Sequence, residues 1–505
     1  MTPAARASAA IEVLADIALR KRPAADALKD WGLAHRFAGS GDRGAIGNLV
    51  FDALRRRASS AYAMGDDSPR VLVLRTLVSG WGTAPEAVEA LADGSRFAPA
   101  PLTPPELEGL KRELSADAPA FIRGDYPEWL DPQLQLAFGA QAAEEGAALA
   151  TRAPVDLRVN TLKATRDKVL HALRRFDAAP TPYSPLGVRI AAGIGPSRSP
   201  HVEAEPAHGK GWYEVQDEAS QIATRLSGAR PKEQILDFCA GAGGKTLALA
   251  AAMENTGQLY AYDADRMRLR PIFERLKRAG VRNVQVLDPG NTEALADLEG
   301  KMDRVIVDAP CTGSGVWRRR PDAKWRLSPQ MLEARLAEQR AVLDQAARLV
   351  KPGGRLLYIT CSVLPSENRD QVDALINRFP EFGIVPWAPL WEQAAFSAAP
   401  PQSADRSAET LLMTPRSFGT DGFFLSMLQR KRDPPKVASS GRSAPRPRSQ
   451  KIWDATPLPL EINKRVAEMT RALTDAEKAV GAWIVHRVTK GGCSPDEDEF
   501  ASRRG

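Results

Sequence analysis

Two of the four cysteines in this chain of 505 residues directly follow segments with the composition of β-strands. Cys311 lies in VIVDAPCTGSG, three residues after Asp308, and Cys361 lies further along the chain in LLYITCSVLPSEN. A thiolate is a nucleophile, and a helix N-terminus or a nearby cation favours its formation. A lone cysteine is more often a small buried apolar residue. Two of them at strand ends predict a site of covalent chemistry, although their positions alone do not rank them.

A glycine-rich turn, LDFCAGAGGKT, predicts a second functional element between a strand and a helix, where backbone amides can approach a ligand. The Walker A pattern fails because Cys239 stands at its first glycine, and the dinucleotide pattern fails because Thr246 stands at its last. A looser turn remains, followed at the end of the next strand by Asp263. An S-adenosylmethionine site has this layout, and a glycine turn that only caps the helix is the alternative.

Five short apolar segments separated by helix-length stretches predict a doubly wound, mainly parallel sheet. In such a sheet ligands bind at the carboxyl ends of the strands. Asp237, Asp263, Asp288 and Asp308 each end one of these strands, so we expect them in one crevice with the two thiols. The five segments are QILDF, QLYAYD, NVQVLD, DRVIVD and RLLYIT.

Composition shifts divide the rest of the chain. An all-α region comes first, and a strand–helix–strand pattern precedes the large sheet. Near residue 431 the chain becomes basic and rich in Pro, Ser and Gly, which predicts a disordered linker. The predicted divisions are a helical domain at 1–95, a helical linker at 96–150, a small α/β subdomain at 151–210, the large α/β domain at 211–430, the basic linker at 431–452 and a helical extension at 453–505.

The composition is that of a globular protein, with 43% hydrophobic and 26% charged residues and a net charge of +7. Such a mild positive charge is compatible with a polyanionic partner. No apolar run reaches the roughly 18 residues of a membrane span, and no CxxC pair or zinc-type histidine spacing occurs. We therefore expect a cytoplasmic monomer without a metal, a disulfide or a membrane partner.

In order and spacing, CAGAGGKT, DAPCTGSG and YITCSVLPSEN resemble the motifs of the Nop/Sun class of RNA cytosine-5 methyltransferases. RVNTLK, YEVQDEASQ, WRRRPDAKWR and DGFFLSML match the outer motifs of this class, so the resemblance covers residues 125–428. The N-terminal helices resemble the NusB-type RNA-binding domain fused to bacterial members. The resemblance implies a NusB-like domain, a small RRM-like α/β subdomain and a Rossmann-like class I methyltransferase domain.

The resemblance also implies an activity, namely methyl transfer from S-adenosylmethionine to C5 of cytosine in RNA, with small-subunit (16S) rRNA as the expected substrate. It implies that Cys361 is the nucleophile, that Cys311 assists product release and that Asp308 contacts the base. The class usually has proline where Ala242 stands, which puts cofactor affinity rather than the chemistry in question. The implied cofactor-binding residues are Cys239, Ala240, Gly241, Ala242, Gly243, Gly244, Lys245, Asp263, Asp288 and Asp308.

The segment WRRRPDAKWR mixes two tryptophans with five basic residues, which suits phosphate contact and base stacking. A solvated charged loop is the alternative. Two other functions also stay open, a non-catalytic RNA-binding ribosome assembly factor and a cytosine-5 methyltransferase that acts on tRNA or DNA. The predicted RNA-binding residues are Arg318, Arg319, Arg320, Lys324 and Arg326.

Overall fold

The computed structural model describes residues 1–432 except 198, 199 and 290, and these residues belong to one compact unit. The predicted extension at 453–505 and the predicted linker, apart from its first two residues, lie outside the described residues. Within the described part, no helix is long and apolar enough to cross a membrane.

Seven helices form the N-terminal region and pack around one apolar core. Alanines and branched residues recur on one face of each long helix, as Ile46, Leu49 and Val50 do in the third. The seventh helix lies beyond residue 95, yet its Leu110 belongs to the same core. The helices are α1 (Pro3–Arg20), α2 (Ala24–Ala34), α3 (Ser40–Arg55), α4 (Arg57–Met64), α5 (Pro69–Ser79), α6 (Pro85–Leu91) and α7 (Pro104–Lys111).

A small four-stranded antiparallel sheet follows three short helices, and its strand order is β2-β3-β1-β4. Leu157, Val188 and Tyr213 contribute to its core. The last strand lies beyond residue 210, so the small sheet includes residues assigned by the sequence to the large domain. The elements are α8 (Ala120–Arg123), α9 (Asp131–Phe138), α10 (Ala142–Leu149), β1 (Val155–Val159), α11 (Arg166–Ala172), β2 (Ala179–Pro180), β3 (Gly187–Ile190), α12 (Pro206–Gly209) and β4 (Tyr213–Val215).

The large sheet has the order β10-β12-β9-β8-β5-β6-β7, with β11 paired to β12. Strands β5 to β9 pair in parallel, while β12 runs antiparallel to β9. The prediction of a doubly wound, mainly parallel sheet is confirmed. Its strands are β5 (Gln234–Asp237), β6 (Gln258–Ala261), β7 (Val284–Val286), β8 (Met302–Asp308), β9 (Val350–Thr360), β10 (Phe382–Val385), β11 (Leu411–Met413) and β12 (Phe423–Arg430).

Helices cover both faces of this sheet because side chains alternate along each strand. In β8, Val305 and Val307 join the core beneath the helix Pro329–Leu349, while Ile306 joins the core beneath the helices Glu218–Leu226 and Gly244–Ala252. The helices are α13 (Glu218–Leu226), α14 (Gly244–Ala252), α15 (Arg266–Leu269), α16 (Ile272–Ala279), α17 (Thr292–Ala296), α18 (Pro321–Arg326), α19 (Pro329–Leu349), α20 (Arg369–Arg378), α21 (Trp387–Gln393) and α22 (Pro415–Phe418).

Candidate active site

The two sequence-predicted thiols lie side by side at the carboxyl edge of the large sheet. β8 and β9 pair in parallel with Asp308 opposite Ile359, so the chain leaves both strands at the same level. The Sγ atoms of Cys311 and Cys361 are 3.3 Å apart, and both are free thiols. The hydrogen bond to Cys361 and burial raise the pKa of Cys311 well above its usual value. Cys311 is therefore held as a protonated thiol that can donate to its neighbour.

A buried carboxylate, Glu367, fixes the loop that carries Cys311. It accepts hydrogen bonds from the backbone N–H of Thr312 at 2.8 Å and from the hydroxyl of Thr312 at 2.5 Å. Gln339 of α19 donates through Nε2 to Glu367 at 3.0 Å and to the carbonyl oxygen of Pro310 at 2.9 Å. The DAPC turn is thus held on both sides of its cysteine.

Two glycines let a third chain segment reach the backbone of Cys361. The N–H of Gly315 donates to the carbonyl oxygen of Cys361 at 2.9 Å, and the N–H of Gly422 donates to the carbonyl oxygen of Gly315 at 2.8 Å. A Cβ atom on Gly315 would lie 2.0 Å from the carbonyl oxygen of Gly422. This approach therefore requires glycine, and it ties the DGFFLSML motif to the thiol loops.

Asp421, next to Gly422, is buried and belongs to a largely buried cluster of four charges. Its carboxylate accepts hydrogen bonds from Arg318 and Arg319, and its N–H donates to Asp217 at 3.1 Å. Arg319 Nη2 also donates to Asp217 Oδ2 at 2.8 Å. Burial and the proximity of Asp217 raise the pKa of Asp421 to about 6. The cluster brings together residues of three motifs, YEVQDEASQ, WRRRPDAKWR and DGFFLSML, next to the loops that carry the thiols.

Residues 317–326, the segment WRRRPDAKWR, contact the N-terminal helices. Lys324 Nζ donates to the carbonyl oxygen of Arg55 at 3.1 Å, and Trp325 Nε1 donates to that of Leu54 at 2.6 Å. Both acceptors lie at the C-terminal end of α3, where carbonyl groups lack helical partners and a cation is favourable. The segment therefore joins the helical region to the large domain.

This contact corrects part of the predicted RNA-binding set. Arg318 and Lys324 have exposed fractions of 4% and 1%, and their cationic groups contact protein, so the prediction that they bind RNA is wrong. Arg319 is exposed but forms ion pairs with two aspartates of the buried cluster. Arg326 pairs with an aspartate one turn earlier in its own helix, and Arg320 is exposed. An RNA contact stays a prediction for Arg319, Arg320 and Arg326.

The glycine-rich loop adopts a backbone that other residues rarely accept. Gly241 and Gly243 have φ angles of 50° and 85°, in the left-handed region. A Cβ atom on Gly243 would also lie 2.5 Å from a side-chain carbon of Ile272. The N–H of Gly241 donates to Asp263 Oδ2 at 2.9 Å. The loop and the acid that follows the neighbouring strand are thus joined directly, while binding of the cofactor by these residues stays a prediction.

The remaining loop residues are fixed by backbone contacts. The N–H of Ala240 donates to the carbonyl oxygen of Tyr262 at 2.9 Å, and Arg275 donates to that of Ala242 at 2.8 Å. Cys239 packs against the core of the sheet, where burial raises the pKa of its thiol well above the usual value. These residues offer a ligand a rigid turn, which α14 continues.

Two carboxylates lie at the base of this loop. Thr246 donates its hydroxyl to Asp237 Oδ2 at 2.6 Å, and Lys245 Nζ donates to Asp308 Oδ2 at 2.6 Å. Asp237 Oδ1 is buried, and no hydrogen-bond partner for it occurs in the described part of the chain. Burial raises the pKa of Asp237 to about 7. A buried carboxylate oxygen of this kind suits a ligand that brings a positive charge or an N–H group.

Asp288 lies further along the sheet edge, after β7, where its carboxylate pairs with Arg266 at 2.7 Å. It borders a cavity of about 520 Å³ whose lining includes the apolar side chains of Met267, Phe273 and Val286. A flat apolar group would fit between these side chains.

Across the residues described, no cluster of three or more His, Cys, Asp or Glu side chains could hold a metal ion.

Three further residues, Glu367, Gln339 and Gly422, belong to the site without having been predicted as site residues from the sequence. Both Glu367 and Gly422 lie inside motifs that resemble those of the family, PSEN and DGFF, and that membership was the available signal. Gln339 lies in the middle of α19 and carries no local signal. Its role depends on how that helix packs against β8.

Two protein families match parts of the chain. Residues 225–429 match the family described as 16S rRNA methyltransferase RsmB/F, and residues 126–195 match the RsmF/B-like ferredoxin-like domain. The chain is 33% identical over 336 residues to ribosomal RNA small subunit methyltransferase B of Sodalis glossinidius, covering 64% of this chain and 71% of the relative. It is 30% identical over 311 residues to the probable methyltransferase B of Synechocystis, covering 60% and 67%. These matches span about two thirds of each relative's length.

Solved structures share the fold. PH0851 aligns with a TM-score of 0.63 at 24% identity, over 85% of this chain and 99% of that one. NSun6 from Pyrococcus horikoshii, solved with SFG, aligns with a TM-score of 0.53 at 22% identity, over 61% and 99%. A methyltransferase homolog from the same organism aligns with a TM-score of 0.51 at 25% identity, over 63% and 100%. The large sheet is therefore that of a Rossmann-like methyltransferase, beside a ferredoxin-like domain.

Proposed function

This chain belongs to the RsmB/F family of methyltransferases, and from that membership we propose that it methylates C5 of a cytosine in RNA, with small-subunit (16S) rRNA as substrate. The resemblance to the Nop/Sun class is confirmed. The observation that carries the proposal is the pair of free thiols 3.3 Å apart beside a glycine-rich loop. Two free thiols in contact at the ligand-binding edge of a sheet suit covalent catalysis, so this pair favours an enzyme over an assembly factor.

S-adenosylmethionine is the cofactor, and when bound it supplies an electrophilic methyl group. It carries a sulfonium and an ammonium group, and the acids Asp237, Asp263 and Asp308 lie around the loop that would hold it. Backbone amides at the start of α14 suit its carboxylate. The apolar cavity beside Asp288 suits its adenine ring. A structural neighbour was solved with SFG, an analogue of this cofactor.

Cys361 acts as the nucleophile. Its thiolate adds to C6 of the cytosine, forming a carbon–sulfur bond and making C5 an enamine-like carbon that accepts the methyl group. The C5 proton then leaves to a base, and the carbon–sulfur bond breaks to restore the aromatic ring. Cys311 assists this release as a protonated thiol beside the leaving sulfur. The target base must leave its stack to reach the thiols, and Asp308 contacts it there.

The helical region at the start of the chain serves as a NusB-like RNA-binding domain in this proposal. Its support is an independent apolar core, which includes residues from α1 to α7, and the direct contact of α3 with the large domain. RNA held by these helices would therefore be held at a fixed distance from the thiols. The small sheet is the ferredoxin-like subdomain, which lies between the helical region and the large domain in the sequence.

Separate substitution of the two thiols tests the proposal. We expect Cys361→Ala to abolish methylation of a 16S rRNA transcript and to form no covalent adduct. We expect Cys311→Ala to accumulate an RNA adduct, visible as a retarded band on a denaturing gel. An adduct that persists in Cys361→Ala and vanishes in Cys311→Ala would reverse the roles. Methylation of duplex DNA but not of RNA would identify a DNA enzyme, and lack of S-adenosylmethionine binding by calorimetry would identify an assembly factor.

A further inference from the structure

A cavity of about 630 Å³ lies at the opposite edge of the large sheet from the thiols. Its lining includes Arg304 near the start of β8 and Arg355 in β9, whereas the thiols follow the carboxyl ends of these two strands. The rest of the wall comes from the C-terminal parts of α13, α14 and α21 and from residues of the small α/β subdomain, such as Arg158 and Thr161. The volume lies within the range of about 300–1,000 Å³ that is common for small-ligand sites.

The charge of this wall is strongly one-sided. Five arginines line the cavity, and Glu254 is the one acidic residue among its lining residues. The exposed side chains of Thr161 and Gln393 add an uncharged hydroxyl and an amide group. A cavity with this lining attracts anions and repels cations.

Three of the five arginines form hydrogen bonds or ion pairs with other protein groups, which explains their presence structurally. Arg304 forms a two-pronged pair with Glu233 and donates to the carbonyl oxygen of Ser227. Arg225 donates to a carbonyl group at the end of α21, and Arg158 donates to Gln216 Oε1 at 2.6 Å. These three hold helix ends and loops together.

The other two, Arg230 and Arg355, have no such role. In the described part of the chain, neither guanidinium forms an ion pair or a hydrogen bond. Arg355 lies opposite Arg304 in the pairing of β8 and β9, so the two side chains emerge on the same face. Burial lowers the pKa of Arg355, and the positive charges of Arg304 and Arg230 lower it further. Glu233 offsets part of this repulsion through its pair with Arg304. Within the described residues it forms no ion pair with the guanidinium group of Arg230 or Arg355, so an anion between these two groups would lower the free energy of the cavity.

We propose that this cavity binds phosphate groups of the RNA substrate through Arg230 and Arg355. A guanidinium group matches the geometry of a phosphate with two parallel hydrogen bonds. The cavity is much larger than one phosphate, whereas a nucleotide segment would also reach its hydroxyl and amide side chains. This inference rests on the proposed function, because that function makes RNA the substrate. Since the cavity is remote from the thiols, it contributes to RNA affinity and not to the chemical step.

The salt dependence of RNA binding tests the proposal on the full chain. Each phosphate contact contributes about 0.7–0.9 to the slope of log Kd against log salt. We expect Arg230→Ala/Arg355→Ala to flatten that slope by about 1.4–1.8 for a 16S rRNA transcript in filter binding. Neither side chain has a partner to lose, so we expect the variant to fold and to keep its kcat at saturating RNA in low salt.

Arg340→Ala/Arg348→Ala is a control of equal charge. Both residues are exposed on α19 and lie outside the cavity lining. A slope that is unchanged in the cavity variant, or flattened equally in the control, would overturn the proposal. Calorimetric titration with pyrophosphate tests whether the cavity binds a small free anion rather than the phosphate groups of RNA. Tight pyrophosphate binding with an unchanged RNA slope would overturn the RNA assignment, while absence of methylation in the wild type would overturn the proposed function instead.

Discussion

Replacement of Asp237 by asparagine should change how stability depends on pH. Burial raises the pKa of this carboxyl from its usual 3.8 to about 7. The folded protein therefore holds a proton that the unfolded chain has already lost between about pH 4 and pH 7. Because the folded state binds more protons in this window, the wild type loses stability as the pH rises through it. Asparagine cannot titrate, so the variant escapes this loss.

The size of the effect follows from the pKa. Each pKa unit is worth about 1.36 kcal/mol, so the rise to about 7 corresponds to at most about 4 kcal/mol above pH 7. The altered hydrogen bond from Thr246 adds an offset that does not depend on pH. The difference in unfolding free energy between Asp237→Asn and wild type should therefore grow by up to about 4 kcal/mol from pH 4 to pH 8.

Urea unfolding of both proteins without cofactor, at intervals from pH 4.5 to 8.5, measures this difference. Asp297→Asn, at an exposed position, is the matched control and should show a constant difference. Calorimetry adds a second readout, because a cationic cofactor favours the carboxylate. S-adenosylmethionine should bind wild type more tightly as the pH rises through 7, while the variant should show no such rise. A stability difference that is flat with pH would refute the assignment of a buried, protonated Asp237.

Gly315→Ala should lose methylation and about 1–3 kcal/mol of unfolding free energy, because its Cβ would meet the carbonyl oxygen of Gly422. Gly383→Ala is the control, since a Cβ there meets nothing within 4 Å. If both alanine variants behave alike in methylation and urea assays, the close approach is unimportant. Glu367→Gln should lower the unfolding free energy by about 1–3 kcal/mol by leaving buried donors unpaired, whereas Glu338→Gln in an exposed pair should change it by less than about 1 kcal/mol. A loss for Glu367→Gln as small as for the control would contradict the buried network.

The large sheet was readable from the sequence because its signal is local. Each strand of β5 to β9 is a mainly apolar segment with an Asp or Thr at its end or two residues beyond it, and helix-length spacing predicts parallel pairing. The same local logic placed Asp263 beside Gly241, since both follow neighbouring strands. The roles of the two thiols in the reaction had no local signal, because Cys311 and Cys361 both lie in loops that follow strand ends. That ranking came from the resemblance to a family.

The error on residues 317–326 has a physical origin. A segment with two tryptophans and five basic residues could contact either RNA or the C-terminal end of a helix, and its composition does not distinguish the two. The packing of α3 against this segment determines which partner it contacts, and α3 lies more than 260 residues earlier in the chain. Lys324 then finds the carbonyl oxygen of Arg55, and its positive charge serves a helix C-terminus. Composition could not reveal a partner so distant in sequence.

Because of the same contact, we expect substitutions in α3 and in residues 317–326 to affect each other. Trp317 and Lys324 are almost completely buried, and Trp325 packs against the core of the N-terminal helices. A substitution that moves the backbone or changes the packing at the end of α3 therefore disturbs contacts with the large domain. Homologous chains should show paired changes across this boundary, and an N-terminal region taken from a distant relative should dock poorly unless residues 317–326 are exchanged with it.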